Sequence, residues 1–218
     1  MNIASGAALN ISGAGAKTVN GGVLNNAGTA TWTDAGNIAT ANGAAINNQA
    51  TGVFDIQTDA DISYNNVGPF SSFTNAGLLK KTAGAADTVF GTGTPMFFFN
   101  DAGATIQLAS GALEVTVPGG FSNNGTIDVA SAATFRRGGG FTNNATGIIR
   151  GNGTIDLGGG ALINDGTIAP GAVSGDTTGT LSITGNYTQG AGGALNVELG
   201  GTAAGDFDVL AVSGTATL

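Results

Sequence analysis

The amino-acid sequence predicts an all-β fold, a right-handed parallel β-helix with rungs of about 20–27 residues. Three observations predict it: a phrase that recurs along the chain, short segments of alternating hydrophobicity, and few helix-forming residues. The phrase is an apolar residue, a variable residue and Asn, followed by a turn rich in Gly or Thr. A repeat of this length indicates units that bury their apolar faces by stacking on their neighbours. The apolar position of the phrase falls at residues 24, 46, 73, 98, 121, 141 and 162.

Short segments with apolar residues at every second position follow many of the Asn turns. Examples are residues 104–108, 125–129 and 153–157. This alternation is the pattern of a strand with one buried face. No segment keeps the apolar spacing of an amphipathic helix over three turns, and Glu, Lys, Arg, Gln and Met are scarce.

Equivalent positions of successive repeats carry similar residues, which favours stacked parallel rungs over antiparallel hairpins. Like side chains would then lie about 4.8 Å apart in internal columns. One predicted column is aromatic and another is formed by isoleucines. The predicted core stack contains Phe73, Phe98, Phe121, Phe141, Ile106, Ile127, Ile148 and Ile168.

The Asn residues of the phrase are predicted to stack at one corner of the coil as a structural ladder. Asn tolerates left-handed backbone angles at such a corner. Its amide can also hydrogen-bond to the Asn of the next rung. The predicted ladder contains Asn75, Asn100, Asn123, Asn143 and Asn164.

The whole chain, residues 1–218, is predicted to form a single β-helical domain. Residues 1–170 carry the Asn-turn rungs, and residues 171–218 carry C-terminal rungs of a different style. Residues 171–180 have a linker-like composition, and the Asn phrase ends before them. This change is interpreted as a new rung style within one domain.

Composition narrows the range of partners. Charged residues make up 9% of the chain and the net charge is −8, so a nucleic-acid partner is not expected. The absence of Cys excludes a disulfide framework and thiolate chemistry. No run is long enough for a membrane-spanning helix, and the start at Met1 lacks the pattern of a signal peptide. If the native protein is exported, we expect the chain to be an internal segment with an added or fortuitous Met.

Candidate catalytic residues are few. Asp128 and Asp156 alternate outward on predicted strands but stand 28 residues apart, and the chain has no His to act as a general base. We therefore expect no catalytic residues, no cofactor and no metal centre. Two pairs, Asp59 with Asp61 and Asp206 with Asp208, leave a calcium site open as the less favoured alternative to solvation.

Basic and aromatic residues offer two further hypotheses. Arg136, Arg137 and Arg150 could contact an anionic glycan, but a charge that discourages edge association is favoured, as it is for Lys80 and Lys81. The single tryptophan of the chain, residue 32, could be a platform for a sugar ring or a buried residue under the first rungs.

The last quarter of the chain resembles the passenger repeats of bacterial autotransporters. The resemblance is carried by residues 185–189, 195–199, 208–210 and 214–216 within 180–218, and by residues 164–171 before them. It implies a β-helix on the surface of a Gram-negative bacterium or secreted by it, in a stalk, adhesin or matrix protein. The export route is left open by the sequence.

The expected function is that of a non-enzymatic extracellular scaffold or adhesin segment. Its expected partners are further copies, through self-association of the terminal rungs into a fibre, and a host-surface or glycan ligand. The bare, uncharged stretches at residues 3–11 and 209–218 suggest this end-to-end stacking. The alternative is a carbohydrate-binding or polysaccharide-degrading β-helix.

Overall fold

The computed structural model describes residues 1–171 and 178–218, so residues 172–177 of the linker-like segment lie outside the described part. Within the described residues every regular element is a β-strand. The strands run parallel and stack into a β-solenoid of about 8 turns. The predicted all-β, parallel solenoid fold is therefore confirmed.

Each turn of the solenoid passes through three faces. The Asn face contains Asn2–Ile3, Val23–Asn26, Ala45–Asn48, Ser72–Asn75, Phe97–Asn100, Ser122–Asn123, Gly140–Asn143 and Ala216–Thr217. The second face contains Ala8–Ile11, Thr29–Trp32, Val53–Ile56, Leu78–Lys81, Thr105–Leu108, Thr126–Val129, Ile148–Gly151, Thr167–Pro170 and Ala194–Leu195. The third face contains Lys17–Asn20, Ile38–Ala41, Ile62–Tyr64, Asp87–Thr92, Gly111–Val115, Ala133–Arg136 and Val209–Val212.

Two long strands connect two of these faces. Thr154–Asn164 and Thr180–Gln189 each run along the third face and continue into the Asn face. Their mutual register shifts between Asp156 and Ala161, where the chain turns the corner. Because of these two strands, the third face and the Asn face form one 17-stranded sheet. The second face is a separate 9-stranded sheet.

An aromatic column fills the solenoid behind the Asn face. The ring centroids of Phe73 and Phe98 are 5.7 Å apart, those of Phe98 and Phe121 are 6.0 Å apart, and those of Phe121 and Phe141 are 5.3 Å apart. All four side chains are buried. Their neighbours along each strand point outward, because side chains alternate across a pleated strand. The column continues in both directions with aliphatic residues and one tyrosine, namely Leu24, Ile46, Leu162 and Tyr187.

The isoleucine column on the second face differs from the prediction at one position. Ile106, Ile127 and Ile168 are fully buried, but the residue in register with Ile127 and Ile168 is Ile149. Ile148 pairs with an outward threonine, so its assignment to the core stack was wrong. The turn after Asn143 is longer than the turn after Asn123 by two residues. An insertion of two residues keeps the alternation in phase, so the inward position that Ile127 holds after Asn123 is held by Ile149 after Asn143.

The Asn ladder is continuous and lies in the interior. The amide nitrogen Nδ2 of Asn75 donates to Oδ1 of Asn100 at 2.9 Å, and Asn100 donates in turn to Asn123 at 2.8 Å. The same bond links Asn123 to Asn143 and Asn143 to Asn164, both at 2.8 Å. The ladder is longer than the five predicted residues, since it starts with Asn26 and Asn48 and ends on Gln189.

Side-chain hydrogen bonding, rather than backbone conformation, explains the choice of Asn. The ladder residues are the last residues of their strands, and the non-glycine residues with positive φ in the described chain are Asp34, Asn42 and Asn66. The expected left-handed corner is thus not the reason for Asn. Most ladder residues use the second hydrogen of Nδ2 on a backbone carbonyl, as Asn75 does with Thr105 at 3.0 Å.

The glycine that follows the ladder residue lets the rungs approach closely. At Gly77, an added Cβ would clash with the carbonyl oxygens of Gln49 and Gly52 on the preceding rung. The backbone there carries no positive φ, so the requirement is one of space. The recurring Asn and Gly therefore serve the same contact between rungs.

The C-terminal rungs are less enclosed than the rest. Strand Ala194–Leu195 is exposed, whereas the strands before it on the second face bury alternate side chains. An isolated antiparallel bridge joins Leu199 to Phe207. Strand Val209–Val212 then returns to the third face and pairs with residues 180–183.

Replacing one ladder residue tests the importance of the buried amides. The change Asn100→Ala leaves the Nδ2 group of Asn75 and the Oδ1 atom of Asn123 without their partner, and each such loss costs about 1–3 kcal/mol. We expect the free energy of unfolding in denaturant titrations to fall by about 2–6 kcal/mol. The control Asn47→Ala removes a solvent-facing amide and should cost about 0.5 kcal/mol or less. Equal effects of the two changes would contradict an energetic role for the buried ladder.

Candidate functional surfaces

The outward side chains of the second face include two ion pairs between rungs. Lys80 lies beside Asp55, with Nζ 3.2 Å from Oδ2. Arg150 lies beside Asp128, and its Nε and Nη2 atoms donate to Oδ2 at 3.0 and 2.9 Å. Because each partner comes from the adjacent rung, these pairs tie neighbouring turns together.

Arg136 is the centre of a similar arrangement on the third face. Its Nε donates to Asp156 Oδ2 at 2.9 Å, its Nη1 lies 3.7 Å from Glu114 Oε2, and Nη1 also donates to Asp87. The hydrogen bond to Asp156 is the main reason that the pKa of Arg136 is raised above its ordinary value. The backbone N–H of Gly158, together with Arg136, lowers the pKa of Asp156 despite its partial burial.

These contacts correct the interpretation of the basic residues. Arg136 and Arg150 lie within stacked rungs and are neutralised by carboxylates on the same faces, so they do not act as charges at a free sheet edge. Arg137 donates to the backbone carbonyls of Gly119 and Gly138. The candidate catalytic residues Asp128 and Asp156 are likewise held by separate arginines on different faces.

Lys81 occupies an interior position, between Ile56 and Leu108 of the neighbouring rungs. The side chain is fully buried, which contradicts its assignment as a surface charge. Its ammonium group donates to Thr58 O at 2.6 Å, to Asp59 Oδ1 at 2.9 Å and to Thr88 Oγ1 at 3.1 Å. All three hydrogens of the ammonium group therefore have acceptors, as a buried charge requires.

The carboxylates of the first calcium candidate, Asp59 with Asp61, are engaged in hydrogen bonds within the protein. Burial tends to raise the pKa of Asp59, but hydrogen bonds from Lys81 and from two backbone N–H groups outweigh it, and the pKa is lowered. Asp61 accepts a hydrogen bond from the backbone N–H of Val89 at 2.8 Å. The two carboxylates therefore serve separate parts of the fold.

The carboxylates of the second calcium candidate, Asp206 with Asp208, accept hydrogen bonds from backbone groups of the C-terminal rungs. Asp208 accepts hydrogen bonds from the N–H groups of Gly179 at 2.8 Å and Glu198 at 2.9 Å. Asp206 accepts one from the N–H of Ala203 at 3.2 Å. Both carboxylates satisfy the backbone of a loop, and in the described residues neither pair of aspartates belongs to a group of three or more acidic, His or Cys side chains placed to hold a metal ion.

The only tryptophan of the sequence, Trp32, is fully buried between the first rungs. Its indole Nε1 donates to the carbonyl of Gly36 at 3.1 Å. The sugar-platform hypothesis is therefore wrong for this residue. The alternative, a buried residue that packs the start of the core, describes its position.

Three other aromatic residues do lie on the surface. Phe70, Phe97 and Phe99 are 45%, 39% and 47% exposed. The ring centroids of Phe97 and Phe99 are 6.2 Å apart with an interplanar angle of 20°, and the Phe70 ring meets Phe97 edge to face at 5.6 Å. We call these three residues the outward aromatic cluster. The sequence analysis did not identify this cluster. Strand alternation nevertheless requires that, once Phe98 faces the core, Phe97 and Phe99 face solvent.

The Asn face around this cluster has no charged outward side chain in its described strands. The second and third faces, in contrast, carry the ion pairs of Lys80, Arg136 and Arg150. The outward side chains of the Asn face are hydroxyl, amide or apolar: Asn2, Val23, Asn25, Ala45, Asn47, Ser72, Thr74, Phe97, Phe99, Ser122, Thr142, Ala161, Ile163, Asn186, Thr188 and Thr217.

The axial end formed by the first rungs is open and apolar. Its lining includes Leu9, Ile11, Val19, Leu24 and Ile46. The strands of the first rung, such as Ala8–Ile11, pair on one side only, with the rung that follows. Among the described residues, no further rung pairs with the backbone groups of this end or covers its core residues.

Comparison with known proteins gives no relative to argue from: no family model, curated protein or solved structure matches the chain. Within residues 1–171 and 178–218, no helix is long and apolar enough to cross a membrane. The same residues contain no group of three or more His, Cys, Asp or Glu side chains placed to hold a metal ion. The surfaces described above thus carry any functional inference.

Acidification tests the ion pair on the third face. The folded-state pKa of Asp156 is lower than its unfolded value of 3.8, so this carboxylate stabilises the fold above that pH. The contribution is lost as the pH falls through the folded-state pKa. We expect Asp156→Asn to lower the melting temperature at neutral pH and to reduce its further drop below about pH 4.

The matched control for this experiment is Asp101→Asn, which removes a carboxylate that belongs to none of the ion pairs in the described residues. It should leave the acid-induced drop at its wild-type size. An unchanged drop in the Asp156→Asn protein would show that this pair contributes nothing to acid sensitivity.

Proposed function

We propose that this chain is a non-enzymatic segment of an extracellular scaffold or adhesin, in which a stiff β-solenoid holds other parts of the protein apart. The observation that carries this function is the buried Asn ladder, which links rungs from Asn26 to Asn164 without a break. Each buried amide is tied to the next rung, so bending the rod breaks satisfied hydrogen bonds in a low-dielectric interior. Such a structure suits a spacer.

The use of the charged residues supports a non-enzymatic role. Hydrolysis of a glycosidic bond needs carboxylates that converge on one substrate position. Here Asp128 is bound to Arg150, and Asp156 is bound to Arg136 on another face. These carboxylates serve contacts between rungs instead.

An extracellular position at a bacterial surface fits the resemblance of residues 164–171 and 180–218 to autotransporter passenger repeats. The composition agrees with this position, because the chain has no Cys and relies on Asn, Thr, Ser and Gly for its surface. In the segment that carries the resemblance, Asp208 binds two backbone N–H groups of neighbouring loops. The motif thus has a structural reason in this chain.

We also propose that the solenoid stacks end to end with further copies. The opening lined by Leu9 and Ile11 exposes core residues that another rung would cover. At the other end, Leu210 and Val212 are only partly buried against the core. Stacking would bury apolar surface at both ends and pair the free backbone groups.

The stacking is tested by placing a charge on the axial end. Leu210 pairs with the buried Leu181 and points inward, so an added rung would bury the ammonium group of Leu210→Lys. We expect light scattering to show concentration-dependent assembly of the 218-residue chain and its loss in Leu210→Lys. Val209 pairs with the exposed Thr180, so the control Val209→Lys places the same charge on the outward side of the same strand and should assemble like the wild type. A wild-type chain that stays monomeric at all concentrations would contradict end-to-end stacking.

The second candidate function is that of a carbohydrate-active β-helix. The outward aromatic cluster favours a binding role over a degradative one, because no pair of free carboxylates accompanies it on the Asn face of the described chain. Incubating the protein with a panel of polysaccharides and assaying new reducing ends and unsaturated products separates the two. We expect no product to be released. Release of either product that is lost in Asp156→Asn would overturn the non-enzymatic function.

A further inference from the structure

We propose that the outward aromatic cluster binds an uncharged polysaccharide, with Phe97 and Phe99 packing against the apolar faces of its sugar rings. This binding site gives the carbohydrate-binding candidate function, on which it rests, a location and a ligand class. Three observations support it: the exposure of the rings, the neutrality of the surrounding face, and the small area of the cluster.

The rings are held in place by the core beneath them. Phe97 and Phe99 flank Phe98, which is 4% exposed and packs against Phe73 and Phe90. The strand is therefore fixed by its inward residue, while its two outward rings remain open to solvent. Contacts with Phe70 orient the Phe97 ring further. A site of this kind needs little reorganisation when a ligand binds.

The chemistry around the rings is that of a sugar-binding surface. Ser72 and Thr74 lie beside Phe97 and Phe99 on the preceding rung, and Ser122 is outward on the following one. Hydroxyl groups of this kind both donate and accept hydrogen bonds, as sugar hydroxyls do. Aromatic rings supply rigid apolar surface between them.

The charge distribution selects the class of polysaccharide. The chain has a net charge of −8, which disfavours an anionic polymer. A cationic polymer would favour the carboxylates, yet the described strands of the Asn face carry none in their outward positions. An uncharged polysaccharide can contact the aromatic rings of this face, and the negative net charge of the protein does not repel it.

The size of the cluster argues for a glycan over a protein partner. Given their exposed fractions, the three rings present about 250 Å² in total if a whole side chain offers about 200 Å². A stable protein interface buries about 800 Å² on each partner. The cluster is therefore large enough for a few sugar rings but only a small part of a protein interface.

Affinity electrophoresis of the whole chain tests this site. Native gels cast with uncharged polysaccharides, namely soluble β-glucan, galactomannan and xyloglucan, are compared with gels that contain alginate and with plain gels. We expect retardation by at least one uncharged polysaccharide and none by alginate. The double change Phe97→Ser and Phe99→Thr, which copies Ser72 and Thr74, should weaken the retarding interaction by about tenfold or more.

The matched control is Ile163→Thr. This change removes an exposed apolar side chain from the same outward face, on a rung well separated from the cluster along the solenoid axis. It should bind like the wild type. Thermal unfolding checks the double variant, whose melting temperature should stay near that of the wild type because both positions face outward.

Three results would overturn the site: no retardation by any uncharged polysaccharide in the panel, equal retardation of the wild type and the double variant, or loss of binding in Ile163→Thr as well. A change in oligomeric state of the double variant, without polysaccharide binding by the wild type, would instead assign the cluster to pairing between copies. None of these results bears on the end-to-end stacking, which is tested separately by assembly through Leu210, or on the non-enzymatic role, which is tested by the release of polysaccharide products.

Discussion

The buried amide ladder is the constraint on which the rest of the structure depends. An unpaired amide in the core costs more than an apolar residue of the same size, so every ladder position must meet its neighbour on the next rung. A shift of one residue would turn the ladder outward and replace it with a neighbouring side chain. The first member illustrates the cost of an incomplete ladder. Ile3 precedes Asn26 in the column, and Asn26 Oδ1 is buried without a partner in the described residues.

Fixing the ladder leaves the connecting turns free to vary. Four residues separate Asn143 from the next strand on the second face, whereas two separate Asn123 from it, and the ladder bond is 2.8 Å between these two asparagines. Long insertions on a surface turn have a small entropic cost, which grows slowly with length. The solenoid therefore keeps a uniform interior, while the loops of successive rungs differ in length. Phe70 comes from such a loop, before strand Ser72–Asn75, and adds a ring to an otherwise regular face.

The predictable and unpredictable parts of this molecule separate on physical grounds. Periodicity predicted the Phe73 to Phe141 column and most of the ladder because those residues repeat with an obligatory contact. Counting spacings failed at Ile148, since a turn of different length changes which isoleucine faces inward. Strand alternation requires one of Lys80 and Lys81 to face inward, but the strand's own sequence does not show how a buried ammonium group would be satisfied, because the acceptors of Lys81, Thr58 and Thr88, come from other segments of the coil. The ion pairs of Arg136 and Arg150 were missed for the same reason: partners 20 and 22 residues away become neighbours only once the register is known.

A parallel solenoid gives each strand two independent functions, because alternate side chains belong to different environments. Strand Phe97–Asn100 supplies Phe98 and Asn100 to the core and presents Phe97 and Phe99 to solvent. The inward pair is restricted by packing and hydrogen bonding, whereas the outward pair can change without altering the rung. The ion pairs of Lys80, Arg136 and Arg150 occupy the outward positions of the second and third faces in the same way, whereas the outward positions of the described Asn-face strands carry no charge. A solenoid of this design can therefore acquire a binding site on one face while the packing and hydrogen bonds of its interior stay unchanged.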